Sequence, residues 1–404
     1  MNSKKVIFSN KNGENLSASL EMPVGNRPAA YAIFAHCFTC SKNLSAVINI
    51  SRALTTQNLA VLRFDFTGLG DSEGDFSDTN FSSNIKDLQS AYHFLETNYE
   101  APSIIIGHSL GGAAVLASAG AMKNIKAVVT IGAPADPLHV KHLFSGGIEE
   151  IKAKGEATVS IGGRPFKVKE QFINDLEEND LSQILSKLNK ALLVLHSPQD
   201  GIVGVENARK IFEGAKHPKS FITLDKADHL LINKSDSTYV GHVIAAWVSR
   251  YVQVKENKQL ETDKQVLVRT GDDGYTTEVK AGKHYFIADE PKSIGGKDLG
   301  PTPYDLLLSA LGSCTSITLR MYADKKGIPL DEISVHLEHD KVHAEDCKNC
   351  ESSTSKIDRI QREIELKGDL TEEQRQRLIE IADKCPVHRT LHNEVQIITK
   401  ALDH

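Results

Sequence analysis

Short apolar runs, several of them rich in β-branched residues, recur through roughly the first 250 residues, and each is closed by a glycine-containing or polar turn. Tyr31–Ala35, Ala60–Leu62, Ile104–Ile106, Ala127–Ile131, Ala191–His196 and Ser220–Leu224 therefore predict strands, most of them fully buried. The Ala-rich stretch Gly112–Ala117 and the apolar stretch Val243–Val248 predict helices. Between the fourth and fifth of these strands lies a long excursion, Pro134–Lys190, with a hairpin-like segment at Ala157–Phe166. The alternating charges of Gln171–Glu178 fit the solvated face of a helix. The charged, apolar-poor stretch Lys255–Lys264 then reads as a linker, which sets expected domains at 1–255 and 265–404 with a linker at 256–264. The second domain, roughly 140 residues, is long enough for its own core. Gln265–Arg269 and His284–Ala288 predict strands there, and Gly300–Asp305 opens a helix with its prolines. Leu306–Ala323 is apolar nearly all round, which predicts a buried helix with Cys314 at its middle; a further helix is predicted over Thr371–Asp383.

Chemistry concentrates where strands end. Gly107-His108-Ser109-Leu110-Gly111 joins the Ile104–Ile106 strand to the Ala-rich helix, the setting in which a strained turn lifts a serine hydroxyl above a sheet. The alternative for such a Gly/Ser turn is a plain helix cap. Asp200 follows the Ala191–His196 strand and His229 follows the next one, so Ser109, Asp200 and His229 come in the order of a nucleophile, an orienting acid and a general base. The loop His36–Cys40 leaves another strand, and the backbone amide of Phe38 together with that of Leu110 is assigned to the oxyanion. Asp228, beside His229, reads as a loop acid.

With the Gly-rich turn Arg63–Ser72, these segments resemble the α/β-hydrolase superfamily in its esterase or serine-aminopeptidase-like branch. The resemblance implies a doubly wound, mostly parallel sheet, a cap formed by about residues 134–190 that governs substrate choice, and hydrolysis of an acyl ester or related small acyl substrate.

The second domain is similar to the OsmC and organic-hydroperoxide-resistance family, through the mid-helix Cys314 after a Pro-containing entry and the late Cys385-Pro386. That likeness implies an α+β fold, a homodimer with entwined strands, attack of Cys314 on an organic hydroperoxide, resolution by Cys385 and recycling by a dithiol reductant. The family's helix-entry glutamate is replaced by Tyr304 after Pro303, and the turn Asp272-Asp273-Gly274 offers no arginine. A free thiol is mostly protonated at neutral pH, so peroxidase chemistry needs a nearby cation. Arg269, Asp305 and Arg389 are the nearest candidates for activating it. The competing reading makes Cys314 a small buried hydrophobe and the domain a non-catalytic dimerisation or ligand-binding module.

Cys347 and Cys350 with His343 form a weak candidate metal site, read rather as a polar loop, and Cys37 and Cys40 read as structural or incidental thiols, with inhibition of the hydrolase by their oxidation left open by their proximity to Ser109. No cofactor is called for. Six cysteines in two close pairs and two isolated positions suit reduced thiols, and the N-terminal residues lack an apolar leader core, so a cytoplasmic location is expected. A net charge of −6 announces no basic face, against nucleic acid, and no apolar run reaches membrane-spanning length.

Overall fold

A computed structural model of the chain describes residues 2–23, 28–144, 147–161, 164–252, 260–271, 274–343 and 356–402. The chain divides into two compact units, Met1–Glu261 and Thr262–His404. Residues 256–259 of the expected linker at 256–264 fall outside the described residues, as do Asp272, Asp273, Cys347 and Cys350.

In the first unit the apolar runs become the interior of an eight-stranded sheet. Its strands are β1 (Asn2–Ser9), β2 (Asn15–Met22), β3 (Ala30–Ala35), β4 (Leu59–Phe64), β5 (Ile104–His108) and β6 (Ala127–Ile131), followed after a detached hairpin, β7 (Glu156–Ile161) and β8 (Arg164–Lys169), by β9 (Ala191–His196) and β10 (Lys219–Thr223). The order is β1-β2-β4-β3-β5-β6-β9-β10; β1 and β2 run antiparallel at one edge and β4 through β10 are parallel. Side chains alternate between two cores, as strand geometry requires: Ile33, Ile105 and Val128 enter one, and Phe34, Ile106 and Val129 the other.

Helices cover both faces, which is why β3, β4, β5, β6 and β9 are buried along their whole length. On the second core lie α1 (Ser45–Thr56), with Val47, Ile50 and Leu54, and on the first α2 (Phe81–Asn98) and α3 (Leu110–Ala119). The excursion folds as expected into a hairpin with α4 (Ile148–Lys154), α5 (Glu170–Glu178) and α6 (Leu181–Lys187). Of these, α5 keeps its charges outward and buries Phe172, Ile173 and Leu176. Asp175 ties it down by accepting from the amide and the hydroxyl of Ser82 on α2. The unit closes with α7 (Glu206–Gly214) and α8 (Lys234–Val248), whose Val240 and Ile244 join the second core.

The second unit holds a three-stranded antiparallel sheet, β11 (Val266–Thr270), β12 (Thr277–Ala281) and β13 (His284–Ala288), and a long ribbon of β14 (Leu330–His343) and β15 (Lys356–Gly368). Its helices are α9 (Pro303–Lys326), α10 (Glu372–Ala382) and α11 (Pro386–His392). As the sequence predicts, α9 opens within Gly300–Asp305 with Pro303 in its first turn; the cap is Thr302, which exchanges backbone and side-chain bonds with Asp305 in a capping box. The expectation that α9 is buried all round is corrected. Leu319 and Ala323 pack against Leu330, Leu366 and Leu378, while Ile317 and Met321 on the other side are 59% and 67% exposed. Among the described residues of this unit the ribbon, α10 and α11 pack on α9 and leave Ile317 and Met321 uncovered.

The expectation of reduced thiols at Cys37 and Cys40 is likewise corrected. The two are joined by a disulfide; three residues of sequence separation in a tight turn bring their Cα atoms to 5.4 Å, within bridging range.

Candidate active site

Ser109 sits between β5 and α3 with φ 55° and ψ −128°, a backbone conformation that carries a steric cost for a residue with a side chain. The flanking glycines make the turn feasible. A Cβ on Gly107 would strike the Gly111 carbonyl, and one on Gly111 would strike the carbonyls of Ala35 and His36. The Ser109 amide donates to the Ile131 carbonyl of β6 at 2.8 Å, which anchors the turn against the next strand.

His229 reaches this serine from the loop after β10. The Ser109 hydroxyl donates to His229 Nε2 at 3.0 Å, and His229 Nδ1 donates to Asp200 Oδ2 at 2.7 Å. Asp200 itself lies just past β9, where its Oδ1 accepts from the amides of Ile202 and Val203, each at 2.9 Å. Burial alone would raise this carboxyl, but the hydrogen bonds from His229, Val203 and Ile202 outweigh it and hold Asp200 below its ordinary value. The three residues that the sequence orders as nucleophile, base and acid are thus brought together.

Phe38 lines the same cavity as the serine, and Leu110 follows it in the chain. Leu110 is the first residue of α3, so its N–H is one of those that a helix leaves without an intrahelical acceptor. Phe38 shares with Ser109 and His229 the wall of a cavity of about 370 Å³, along with Leu44, Ile161, Ile202 and Leu230. Of the excursion 134–190, His139, Ile161 and Arg164 reach this cavity.

Several contributors have no motif to announce them. Gly132 tucks beneath the Asp200–His229 bond, where a Cβ would lie 3.2 Å from Asp200 Oδ2. His108 donates from Nε2 to the His229 carbonyl at 2.7 Å, and burial drives its pKa down to about 3, so it stays neutral in that role. The Arg164 guanidinium donates to the Thr39 carbonyl in the Phe38 loop. An aromatic cluster of Phe38, Phe76, Phe166 and Phe172 joins that loop to the hairpin and α5. These contacts link segments far apart in sequence, which spacing alone does not reveal. Asp228 remains a loop acid, turned to the amides of Leu230 and Ile232.

The match of the first unit to known proteins is direct. A solved structure of the esterase domain of a Rhodothermus marinus protein is 53% identical to this chain, covering 62% of it and all of that domain, with a TM-score of 0.53. The family described as serine aminopeptidase, S33, matches residues 28–155, and that described as OsmC-like protein matches residues 295–400. The chain is an α/β hydrolase fused to an OsmC-like domain. Mouse palmitoyl-protein thioesterase ABHD10, a mitochondrial protein, is 28% identical over 184 residues, an alignment that spans 44% of this chain and 61% of the mouse protein. Est1E of Butyrivibrio proteoclasticus, solved with ferulic acid bound, is 21% identical, covers 61% of this chain and 99% of its own, and shares the fold at a TM-score of 0.54.

In the OsmC-like domain both candidate cysteines are free thiols, Cys314 half-buried on α9 and Cys385 buried at the N-cap of α11. Cys385 Sγ accepts from the His388 amide at 3.3 Å and lies 3.7 Å from Thr315 Oγ1, the neighbour of Cys314. The proposed activators are engaged as follows. Arg269 pairs with Glu278 across β11 and β12, Asp305 closes the α9 cap, and Arg389 lies exposed on α11. A cation that the sequence does not single out touches the same Thr315 hydroxyl as Cys385. Arg362 on β15 donates to Thr315 Oγ1 at 3.0 Å and to the Ala382 carbonyl at 3.3 Å, and pairs with Asp383. Its strand position, within a run of alternating charges, gives no hint of this. His343 ends β14, with its side chain outside the described residues, and Cys347 and Cys350 lie beyond it. Among the described residues no helix is long and apolar enough to cross a membrane, and no group of three His, Cys, Asp or Glu side chains is arranged to hold a metal.

Proposed function

We propose that the hydrolase domain cleaves small acyl esters, with Ser109 as nucleophile, His229 as general base and then acid, and Asp200 as the group that fixes the imidazole. The observation that carries this reading is the continuous hydrogen-bond line from Ser109 through His229 to Asp200, opening into an apolar cavity. Ser109 Oγ attacks the ester carbonyl while its proton passes to His229 Nε2, and Asp200 stabilises the imidazolium so formed. The amides of Phe38 and Leu110 hold the oxyanion. The proton returns to the departing alcohol, and water repeats the sequence on the acyl-enzyme. Ile161, Ile202 and Leu230 suit an uncharged acyl group, and the 53% identity to an esterase domain supports an oxygen ester over an amide. A fluorophosphonate probe tests the assignment: peptide mass spectrometry is expected to locate the adduct on Ser109, and an adduct elsewhere, or none, counts against it.

For the OsmC-like domain we propose a thiol peroxidase. Cys314 attacks the organic hydroperoxide, releasing an alcohol and becoming a sulfenic acid; Cys385 displaces water to form a disulfide, which a dithiol reduces. Support comes from the family match across both thiols and from the packing of α11 on α9. Arg362 of β15 reaches Thr315 on α9, next in sequence to Cys314, and is a cation able to favour a thiolate. One equivalent of cumene hydroperoxide is expected to yield a Cys314–Cys385 disulfide by mass spectrometry, and Cys385→Ser to leave a sulfenic acid on Cys314. Both thiols remaining reduced would leave the domain a binding and dimerisation module.

A homodimer through this domain fits its exposed apolar residues: Ile317 and Met321 on α9, Val266 and Val268 on β11, and Ile397 and Ile398 in the C-terminal segment. A cytoplasmic setting, where dithiol reductants are kept reduced, completes the proposal.

A further inference from the structure

The Cys37–Cys40 bridge belongs to neither proposed activity, yet it encloses Phe38, the residue assigned to the oxyanion. The loop that carries it is pinned beyond the bridge. Lys42 donates from its amide to Asp65 Oδ1 at 2.6 Å, and its carbonyl accepts from Arg63 at 2.6 Å. On the other side the loop continues directly from β3. Between those anchors, the Cys40 amide reaches the Cys37 carbonyl at 3.2 Å, and Thr39 is held at φ 60°, a conformation costly for a β-branched residue. Besides the bridge, the Arg164 contact to the Thr39 carbonyl restrains this strained stretch.

Access to the bridge is one-sided. Cys37 is buried at 3% exposure, whereas Cys40 is half-buried, and both line the cavity that holds Ser109 and His229. A thiol small enough to enter the ester cavity meets the bridge there.

We propose that Cys37 and Cys40 form a thiol–disulfide exchange site for a small dithiol, entered through the ester cavity, and that their redox state sets the rate of the hydrolase. One thiolate of the dithiol attacks Cys40 Sγ; the S–S bond breaks and Cys37 leaves as a thiolate that takes up a proton. The second thiolate of the reagent then attacks the mixed disulfide and frees Cys40, which is protonated in turn. Two electrons and two protons have moved to the protein, and the reagent departs as its own disulfide. An oxidised dithiol runs the exchange backwards. Once the bridge is open, Thr39 relaxes from its left-handed conformation and takes the Phe38 amide off the oxyanion position. The inference rests on Ser109 being the nucleophile and Phe38 an oxyanion donor.

The test uses the full chain with dithiothreitol as the dithiol. Trapping with iodoacetamide before mass spectrometry reports the state of the pair, and p-nitrophenyl acetate hydrolysis reports the site. Reduction is expected to lower kcat about tenfold or more with KM little changed, since loss of an oxyanion donor costs about a hundredfold and the Arg164 and Lys42 contacts retain part of the geometry. Oxidised dithiothreitol is expected to restore kcat. The Cys37→Ser/Cys40→Ser variant is expected to hold the low kcat and to ignore the reagent, which separates this pair from every other cysteine of the chain. The proposal is overturned by unchanged kcat in protein whose Cys37 and Cys40 are both alkylated, by a pair that resists dithiothreitol in the folded protein, or by a wild-type kcat in the double variant. Should that variant not fold, reversible loss and recovery in the natural protein still decides. Fluorophosphonate labelling keeps the two readings apart: Ser109 unlabelled in both redox states sinks the hydrolase assignment, whereas equal labelling rates in both states sink the exchange proposal alone.

Discussion

Ser109→Ala is expected to lower p-nitrophenyl acetate turnover by about a thousandfold or more, and His229→Ala by a similar factor. Both changes act on one step. Without the Ser109 hydroxyl no acyl-enzyme forms. Without His229 the hydroxyl has lost the acceptor 3.0 Å away that would take its proton. The two losses therefore do not add, and the double variant is expected to be about as slow as either single one. Neither substitution should unfold the domain, because Ser109 is held through its backbone and both side chains border the cavity rather than the two cores. Steady-state kinetics with a thermal melt of each variant checks this. Near-normal turnover in Ser109→Ala would remove the nucleophile assignment, and a melt displaced by many degrees would move the explanation to folding.

Much of this site is legible in the sequence, and the reason is topological. In a parallel sheet the chain leaves each strand at the same edge, so residues just past strand ends converge even when far apart in sequence. Ser109, Asp200 and His229 each stand there, and Ile104–Ile106 and Ala191–His196 are apolar because helices cover both faces. What stayed hidden depends on side chains crossing between elements. His108 supports His229 through a carbonyl, Gly132 leaves room beneath Asp200, and Arg164 spans 125 residues of sequence to reach Thr39. None of these carries a periodic or compositional signal. The α9 helix misled in the opposite sense. Its apolar residues on all sides imply burial, but hydrophobicity says only that a surface seeks a partner, not whether that partner lies in the same chain.

Asp200→Asn is expected to be the most damaging near-isosteric change in the chain, lowering kcat by about 10⁴-fold with the fold intact. The geometry around the carboxylate forces this outcome. Oδ1 accepts from the amides of Ile202 and Val203, so an asparagine at 200 must keep its carbonyl oxygen on that side or place its NH₂ against two N–H donors. Held that way, its NH₂ faces His229 Nδ1, 2.7 Å from the present oxygen. The imidazole can meet an N–H there only by turning Nδ1 into an acceptor, which puts its hydrogen on Nε2. A protonated Nε2 cannot take the Ser109 proton, so the line from serine to base is broken at the atom that matters. Substrate binding should be nearly untouched, because Asp200 does not line the cavity, and the loss should fall on kcat rather than KM. An Asp200→Asn enzyme within tenfold of the natural kcat would mean that His229 is not oriented by this carboxylate.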